Sequence, residues 1–266
     1  MPHHLLTFVL GRLAASRRPW LKNTLIRLAI KRFGINLDEA RETNPEAYPS
    51  FNAFFTRALQ EGARPLHHDA LVSPADGFLT QGAAISHGVF VQAKGQRYRL
   101  AKLLGSLDES EATPFHHGGF FTIYLAPRDY HRVHMAGDGV LTRQRYIPGR
   151  LFSVNQQSAS TIPHLFARNE RLVCWFDGPR GAWVQILIGA MVVGGIQTIW
   201  HDHPCGHPRQ ITEQRFPDDT APRLGKGAEM GRFFMGSTVV VLTSFPLDAD
   251  FSPRTVRMGQ SLGRDT

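Results

Sequence analysis

AWVQILIGAMVVGGIQTIW, residues 182–200, is long enough to cross a bilayer as a helix and apolar enough to invite that reading. Gln185, Gln197 and the glycines Gly189, Gly194 and Gly195 argue against it. Two buried strands interrupted at glycine account for the same residues, so the stretch predicts core, not a span. The chain around it follows suit. Turn-bounded β segments recur at GVFVQAKG, GFFTIYLAP, YHRVHMAG, GVLTRQRYIPG and RLVCWFDG, and SPADG punctuates two more. Helix is sparse after the first third, with RLAKLLGSL the exception. Without alternating crossover helices the class is α+β, with a mainly antiparallel β core.

The 266 residues suffice for one large domain or two small ones. Lys and Arg number 30 against 22 Asp and Glu, a net charge of +8, which favours an anionic partner. Cys174 and Cys205 are the only cysteines and form no disulfide framework, which points to a reducing compartment. SRRPWLK resembles a twin-arginine signal, but Arg12, Arg27, Lys31 and Arg32 interrupt the apolar stretches such a signal needs. Amphipathic helices fit better: Leu6, Val9, Leu10 and Leu13 keep helical spacing, as do Leu21, Leu25, Leu28 and Ala29. Such a helix either lies in an anionic headgroup layer or packs on the protein's own core.

GRFFMGSTVVVL, residues 231–242, sets Gly236 and Ser237 at the mouth of an apolar strand. A bulge or turn explains such a pair by itself. His131 and His134, three positions apart, share a face in a helix and oppose each other in a strand, and both types serve local hydrogen bonds. Asp76 in SPADG suits a turn that bonds its own backbone. Together, an acid on a turn, a histidine after a strand and a serine before one are the ingredients of an activated nucleophile. His201, His203, Cys205 and His207 are of zinc-binding type, but Pro204 and Pro208 make an irregular loop and no second ligand cluster accompanies them, so no metal is assigned. RLGKGAEMG lacks both nucleotide-binding spacings.

The chain resembles the bacterial phosphatidylserine decarboxylases. FFTRAL with RPL, SPADG, QAKG, YLAPRDYHRVHMAG, YIPGRLFSVN, LFARNERLVCWFD, QILIGAMVVGGIQTIW and KGAEMGRFFMGST occur in family order over nearly its whole length. Met235 stands where the family commonly has Leu, a conservative apolar exchange. The resemblance implies a proenzyme that cuts itself between Gly236 and Ser237, leaving a pyruvoyl group, made from Ser237, as its covalent cofactor. It implies that His134 activates Ser237, that Asp76 orients and charge-stabilises His134, and that His131 returns a proton after carbon dioxide leaves phosphatidylserine. It divides the chain into an amphipathic membrane-associating segment (1–45), a β-rich catalytic core that becomes the beta chain (46–236) and an alpha chain integral to the same core (237–266). Its implied partners are phosphatidylserine and the anionic bilayer at the cytoplasmic face of the cell membrane, where the protein is peripheral, with two processed protomers pairing as a homodimer.

Other readings stay open at this stage. A lipid-directed serine hydrolase would use the same Ser237, His134 and Asp76, though the G-x-S-x-G elbow is missing. A non-catalytic module binding anionic lipid needs none of these residues together. Nucleic-acid binding has only the net charge behind it, with no zinc finger, helix-turn-helix or aromatic RNA-binding signature, and is set aside.

Overall fold

The computed structural model describes residues 10–92, 96–106, 108–190, 195–201, 203, 210–234, 237–248 and 251–263. Within them the helices are α1 (Pro19–Phe33), α2 (Phe51–Phe55), α3 (Leu100–Leu104), α4 (Gln156–Thr161) and α5 (Leu165–Arg168). The strands are β1 (Leu71–Val72), β2 (Gly77–Ala84), β3 (Val89–Gln92), β4 (Gln96–Arg99), β5 (Gly119–Leu125), β6 (Arg132–His134), β7 (Gly139–Ile147) and β8 (Arg171–Gly178). They continue with β9 (Gly181–Gly189), β10 (Ile196–Thr198), β11 (Thr212–Arg215), β12 (Arg223–Leu224), β13 (Glu229–Phe233), β14 (Ser237–Thr243), β15 (Arg254–Val256) and β16 (Ser261–Gly263).

The principal sheet runs β11-β7-β8-β9-β14-β5-β2-β15, with β12 also on the outer edge of β7, and every pairing in it is antiparallel. Residues 182–200 therefore contribute β9 and β10, the two strands expected, with 191–194 outside the described residues. β14 sits in the middle because its sequence suits burial on both faces: STVVVLT is rich in β-branched residues and wholly buried. The period of two then sorts its side chains. Val240 and Leu242 join Val173, Trp175, Val184 and Ile186 under α3 and α5. Val239 and Val241 join Leu172, Leu187, Phe121 and Ile123 on the opposite face.

That opposite face is covered by a small sheet, β10-β13-β6, which adds Ile196, Met230, Phe233 and Val133 to the same core. One polar side chain bridges the two layers. Gln185, buried on β9, donates from Nε2 to the His134 carbonyl (2.8 Å) and accepts from the Ala136 N–H (3.3 Å). Gly77, which opens β2, is required by close approach: a Cβ there would lie 2.3 Å from the Tyr124 carbonyl oxygen.

The helix α1 begins at Pro19, whose missing N–H costs nothing at the first turn, and stops at Gly34 in the left-handed conformation (φ 67°) after Lys31 and Arg32. Its inner side, Ile26 and Ala29, shares an apolar cluster with Tyr48, Phe51, Phe54 and Phe55, the last three on α2. Leu28 departs from the expected apolar face: it is 61% exposed, and Trp20 is 67% exposed. The rest of the expected face docks, with Ala29 buried in the α2 cluster and Leu25 packed against it, and Ile26 takes the central place in that contact. Leu6 and Val9 lie outside the described residues. Among the described residues no helix is long and apolar enough to cross a membrane.

Candidate active site

Ser237 is the first residue of β14, wholly buried, paired with Leu125 on one side and Gly189 on the other. It has the parity of Val239 and Val241, so its side chain belongs to the face covered by the small sheet, where the histidines are. Its Oγ has no hydrogen-bond partner among the described residues. A buried hydroxyl left unmatched is costly. Gly236, the other half of the expected scissile pair, and Met235 lie outside the described residues.

His131 immediately precedes β6 and is fully buried. Its Nδ1 donates to the Asp129 carbonyl (2.8 Å), which fixes the tautomer, since a carbonyl can only accept. Nε2 is thereby left with a bare lone pair, buried and without a partner. Burial pushes this imidazole down to about 3, so it is neutral near pH 7. The ring rests on Phe55 of α2, with centroids 4.1 Å apart. The chain returns to Ser237 at the same place: the Phe233 N–H donates to the His131 carbonyl (3.0 Å), and only residues 234–236 separate that contact from the serine.

His134 ends β6 and both of its ring nitrogens are engaged. Nδ1 donates to the Gly227 carbonyl (2.8 Å), and the Tyr130 hydroxyl donates to Nε2 (3.0 Å). Burial pushes the Tyr130 phenol up, which keeps its proton in place for that bond. Burial also lowers the basicity of His134, partly offset by the Gly227 bond.

Asp76 is drawn to the same corner through the backbone, because the His134 N–H donates to the Pro74 carbonyl of SPADG (2.8 Å). Its carboxylate makes no hydrogen bond to His134. Arg64 takes it instead, donating from Nε to Oδ1 (2.9 Å) and from Nη2 to Oδ2 (2.5 Å), and the Met258 N–H adds a third bond (2.8 Å). A forked guanidinium fits a carboxylate better than one imidazole N–H does, and Arg64 is anchored in turn by Glu39 (2.8 Å). Asp76 acts on His134 through its charge alone, while Gly227 and Tyr130 orient the ring.

The structure thus sets Ser237 at the start of β14 on the face that the small sheet with His134 covers, links His131 to it through Phe233 and the Asp76 turn to His134 through the Pro74 carbonyl, and adds Arg64, Tyr130, Gln185 and the Gly227 carbonyl. Tyr130 lies inside the histidine motif and Arg64 opens RPL, so both were visible as letters, but nothing in a lone Tyr or Arg announces a partner far along the chain. In the histidine-rich loop, His201 Nε2 lies against Gln144 Nε2, and Cys205 and His207 are outside the described residues.

A family model described as phosphatidylserine decarboxylase matches residues 51–264, and a second, described as PSD, matches residues 1–34. The chain is 47% identical to the phosphatidylserine decarboxylase proenzyme of Azoarcus sp. (strain BH72), covering 99% of this chain and 92% of that protein. The proenzymes of Pseudomonas aeruginosa (strain LESB58) and Azotobacter vinelandii (strain DJ / ATCC BAA-1303) are 47% and 46% identical over 99% of this chain, covering 89% and 95% of their own lengths. A likeness of this depth, extending through every segment that builds the corner around Ser237, means that the chain belongs to the phosphatidylserine decarboxylase family.

Proposed function

We propose that this protein is made as a proenzyme, cuts itself before Ser237, and then converts phosphatidylserine to phosphatidylethanolamine and carbon dioxide. The observation that carries the reading is a fully buried serine hydroxyl with no hydrogen-bond partner among the described residues, at the start of β14 on the sheet face that β6 and its His134 help to cover. In the cut, Ser237 Oγ attacks the preceding carbonyl and the peptide amide becomes an ester, with His134 taking the hydroxyl proton. Tyr130 must first rotate its hydroxyl off Nε2, so this tyrosine holds the base in reserve in the uncut chain. The Asp76 charge favours the imidazolium that forms.

Elimination and hydrolysis at Ser237 would leave a pyruvoyl group, whose ketone takes the substrate amine and draws off the electrons released with carbon dioxide. The residues present fit that group: Ser237 is buried with its hydroxyl unmatched, so losing that hydroxyl as Cβ becomes the pyruvoyl methyl breaks no side-chain hydrogen bond among the described residues and leaves no charge behind. His131 then relays to the carbon that has lost its carboxylate a proton that its free Nε2 must first take up from solvent. An imidazole of such low basicity is a strong acid once protonated, and the anionic substrate favours that protonation.

The outer side of α1 supports a bilayer as the working surface. Trp20 and Leu28 project from it beside Arg27 and Lys31, an apolar wedge rimmed with cations. The same reading places the protein on the cytoplasmic face of the cell membrane and pairs two processed protomers. A hydrolase is disfavoured because Ser237 opens a central strand with neighbours on both sides, not a strand-to-helix elbow.

The test is release of carbon dioxide from carboxyl-labelled phosphatidylserine in detergent micelles. Wild type should release it, Ser237→Ala should not, and His131→Gln should be cut yet turn over at least about a hundredfold more slowly. Acyl-ester hydrolysis without carbon dioxide would replace this reading with the hydrolase, and an uncut His131→Gln would exchange the roles of the two histidines.

A further inference from the structure

Arg57 is a buried cation with no ion pair among the described residues. The residue is 4% exposed, and its Nε and Nη1 have no hydrogen-bond partner among the described residues. Nη2 donates to the Arg128 carbonyl (3.2 Å), and the guanidinium carbon stands 5.9 Å from the centre of the Phe54 ring. The two acids whose charge reaches it are committed elsewhere, Asp76 to Arg64 and Asp129 to the Ala126 N–H (2.7 Å). Tyr48, Tyr130 and His131 are the other titratable groups facing it. Burying a charge without a partner is among the costliest arrangements in a protein, and burial accordingly lowers the guanidinium's basicity.

Its position relates this charge to the reacting centre. The segment that ends α2 is stitched to residues 128–132 at three points: Arg57 Nη2 on the Arg128 carbonyl, the Phe55 ring on His131, and Arg132 Nε donating to the Thr56 carbonyl (2.9 Å). Arg57 therefore runs alongside the loop that carries His131, near enough for its charge to depress that histidine further.

We infer that Arg57 binds the phosphodiester of the lipid substrate, an inference that rests on the decarboxylase reading above. Phosphatidylserine brings two anions, and the chemistry separates them. The carboxylate disappears as carbon dioxide, so a cation paired with it would stabilise the starting state and oppose the reaction. The phosphodiester keeps its charge throughout, so holding it costs nothing at the transition state. It also lies three bonds from the carbon that loses carbon dioxide, so its anchor must stand beside the residue that protonates that carbon, as Arg57 stands beside His131. The two unpartnered N–H groups, Nε and Nη1, are donors for phosphate oxygens.

The experiment compares wild type, Arg57→Lys and Arg57→Gln on phosphatidylserine and on a long-chain serine ether that lacks the phosphate, both in neutral detergent micelles. In wild type, kcat/KM favours the phospholipid. In Arg57→Gln that preference should fall at least about tenfold, with the loss carried mainly in KM, and Arg57→Lys should lie between. Equal losses on both substrates, or a loss carried in kcat alone, would overturn the assignment. Should Arg57→Gln fail to fold or to cut itself, wild type decides: dimethyl phosphate should inhibit competitively at millimolar concentration while neutral trimethyl phosphate does not, and equal inhibition by the two, or none, overturns the proposal. Intact mass on the same samples keeps the two readings apart. An uncut, inactive wild type counts against the decarboxylase, whereas a cut, active wild type whose Arg57→Gln variant keeps its substrate preference counts against Arg57 alone.

Discussion

His131 and His134 illustrate how little a residue type says before its neighbours are known. Both stood out in the sequence, but their difference comes from backbone carbonyls and a tyrosine that no spacing rule encodes. His131 also has a measurable consequence for stability. Its folded-state basicity is depressed to about 3 from an ordinary value of 6.5, so between those limits the unfolded chain takes up a proton that the folded chain refuses. Stability is complete above pH 6.5 and declines as the pH falls, by up to about 1.4 kcal/mol per pH unit for this one group. Urea midpoints at pH 7, 6 and 5 should fall less steeply in His131→Gln than in wild type; parallel slopes would contradict the buried neutral imidazole. Asp76 admits a sharper separation. Asp76→Asn deprives buried Arg64 of its main partner and should cost about 3 kcal/mol. The double variant Arg64→Met, Asp76→Asn should regain much of that stability yet still cut slowly, because the charge felt by His134 is gone. Restoration of both together would make Asp76 a structural residue only.

At the level of elements, β14 is the piece on which fold and function meet. The strands were legible because their apolar residues alternate or run unbroken between glycines and prolines, as in RLVCWFDG and QILIG. Their order was not: Ser237 pairs with Leu125 and Gly189, contacts far apart in the chain that periodicity cannot assign. The helix α1 shows the same limit. Its amphipathic character was plain, but which side docks depends on the aromatic residues of α2, and Leu28 turned out to face solvent. Strand order predicts the fate of the cut chain. Residues 237–266 supply β14 between β5 and β9, β15 on β2 and β16 on β1, so cutting before Ser237 severs one peptide bond and no ladder. The two chains should therefore elute together from a sizing column in native buffer and separate only in denaturant. Release of the shorter chain on cutting would contradict the central placement of β14.

Across the whole molecule, two layers of core place Ser237 under a small sheet while the N-terminal helix presents an apolar and cationic outer side. If that side meets the bilayer, Trp20→Ala with Leu28→Ala should weaken binding to anionic vesicles by about tenfold per residue and leave thermal stability nearly unchanged, since both side chains are exposed. Undiminished binding would move the membrane contact to another part of the surface. The overall charge favoured an anionic partner from composition alone, but Arg57, which has no ion pair among the described residues, is seen beside the His131 loop only when α2 is set against residues 128–132. The most direct measurement for the central claim is the intact mass, under denaturing conditions, of purified wild type beside Ser237→Ala and His134→Gln. Wild type should yield a fragment of residues 237–266 about 17 Da lighter than simple hydrolysis would give, the mark of a pyruvoyl in place of the serine amine, and both variants should stay whole. A wild-type chain that remains whole in an active membrane fraction, or a fragment that keeps its serine, would contradict the account.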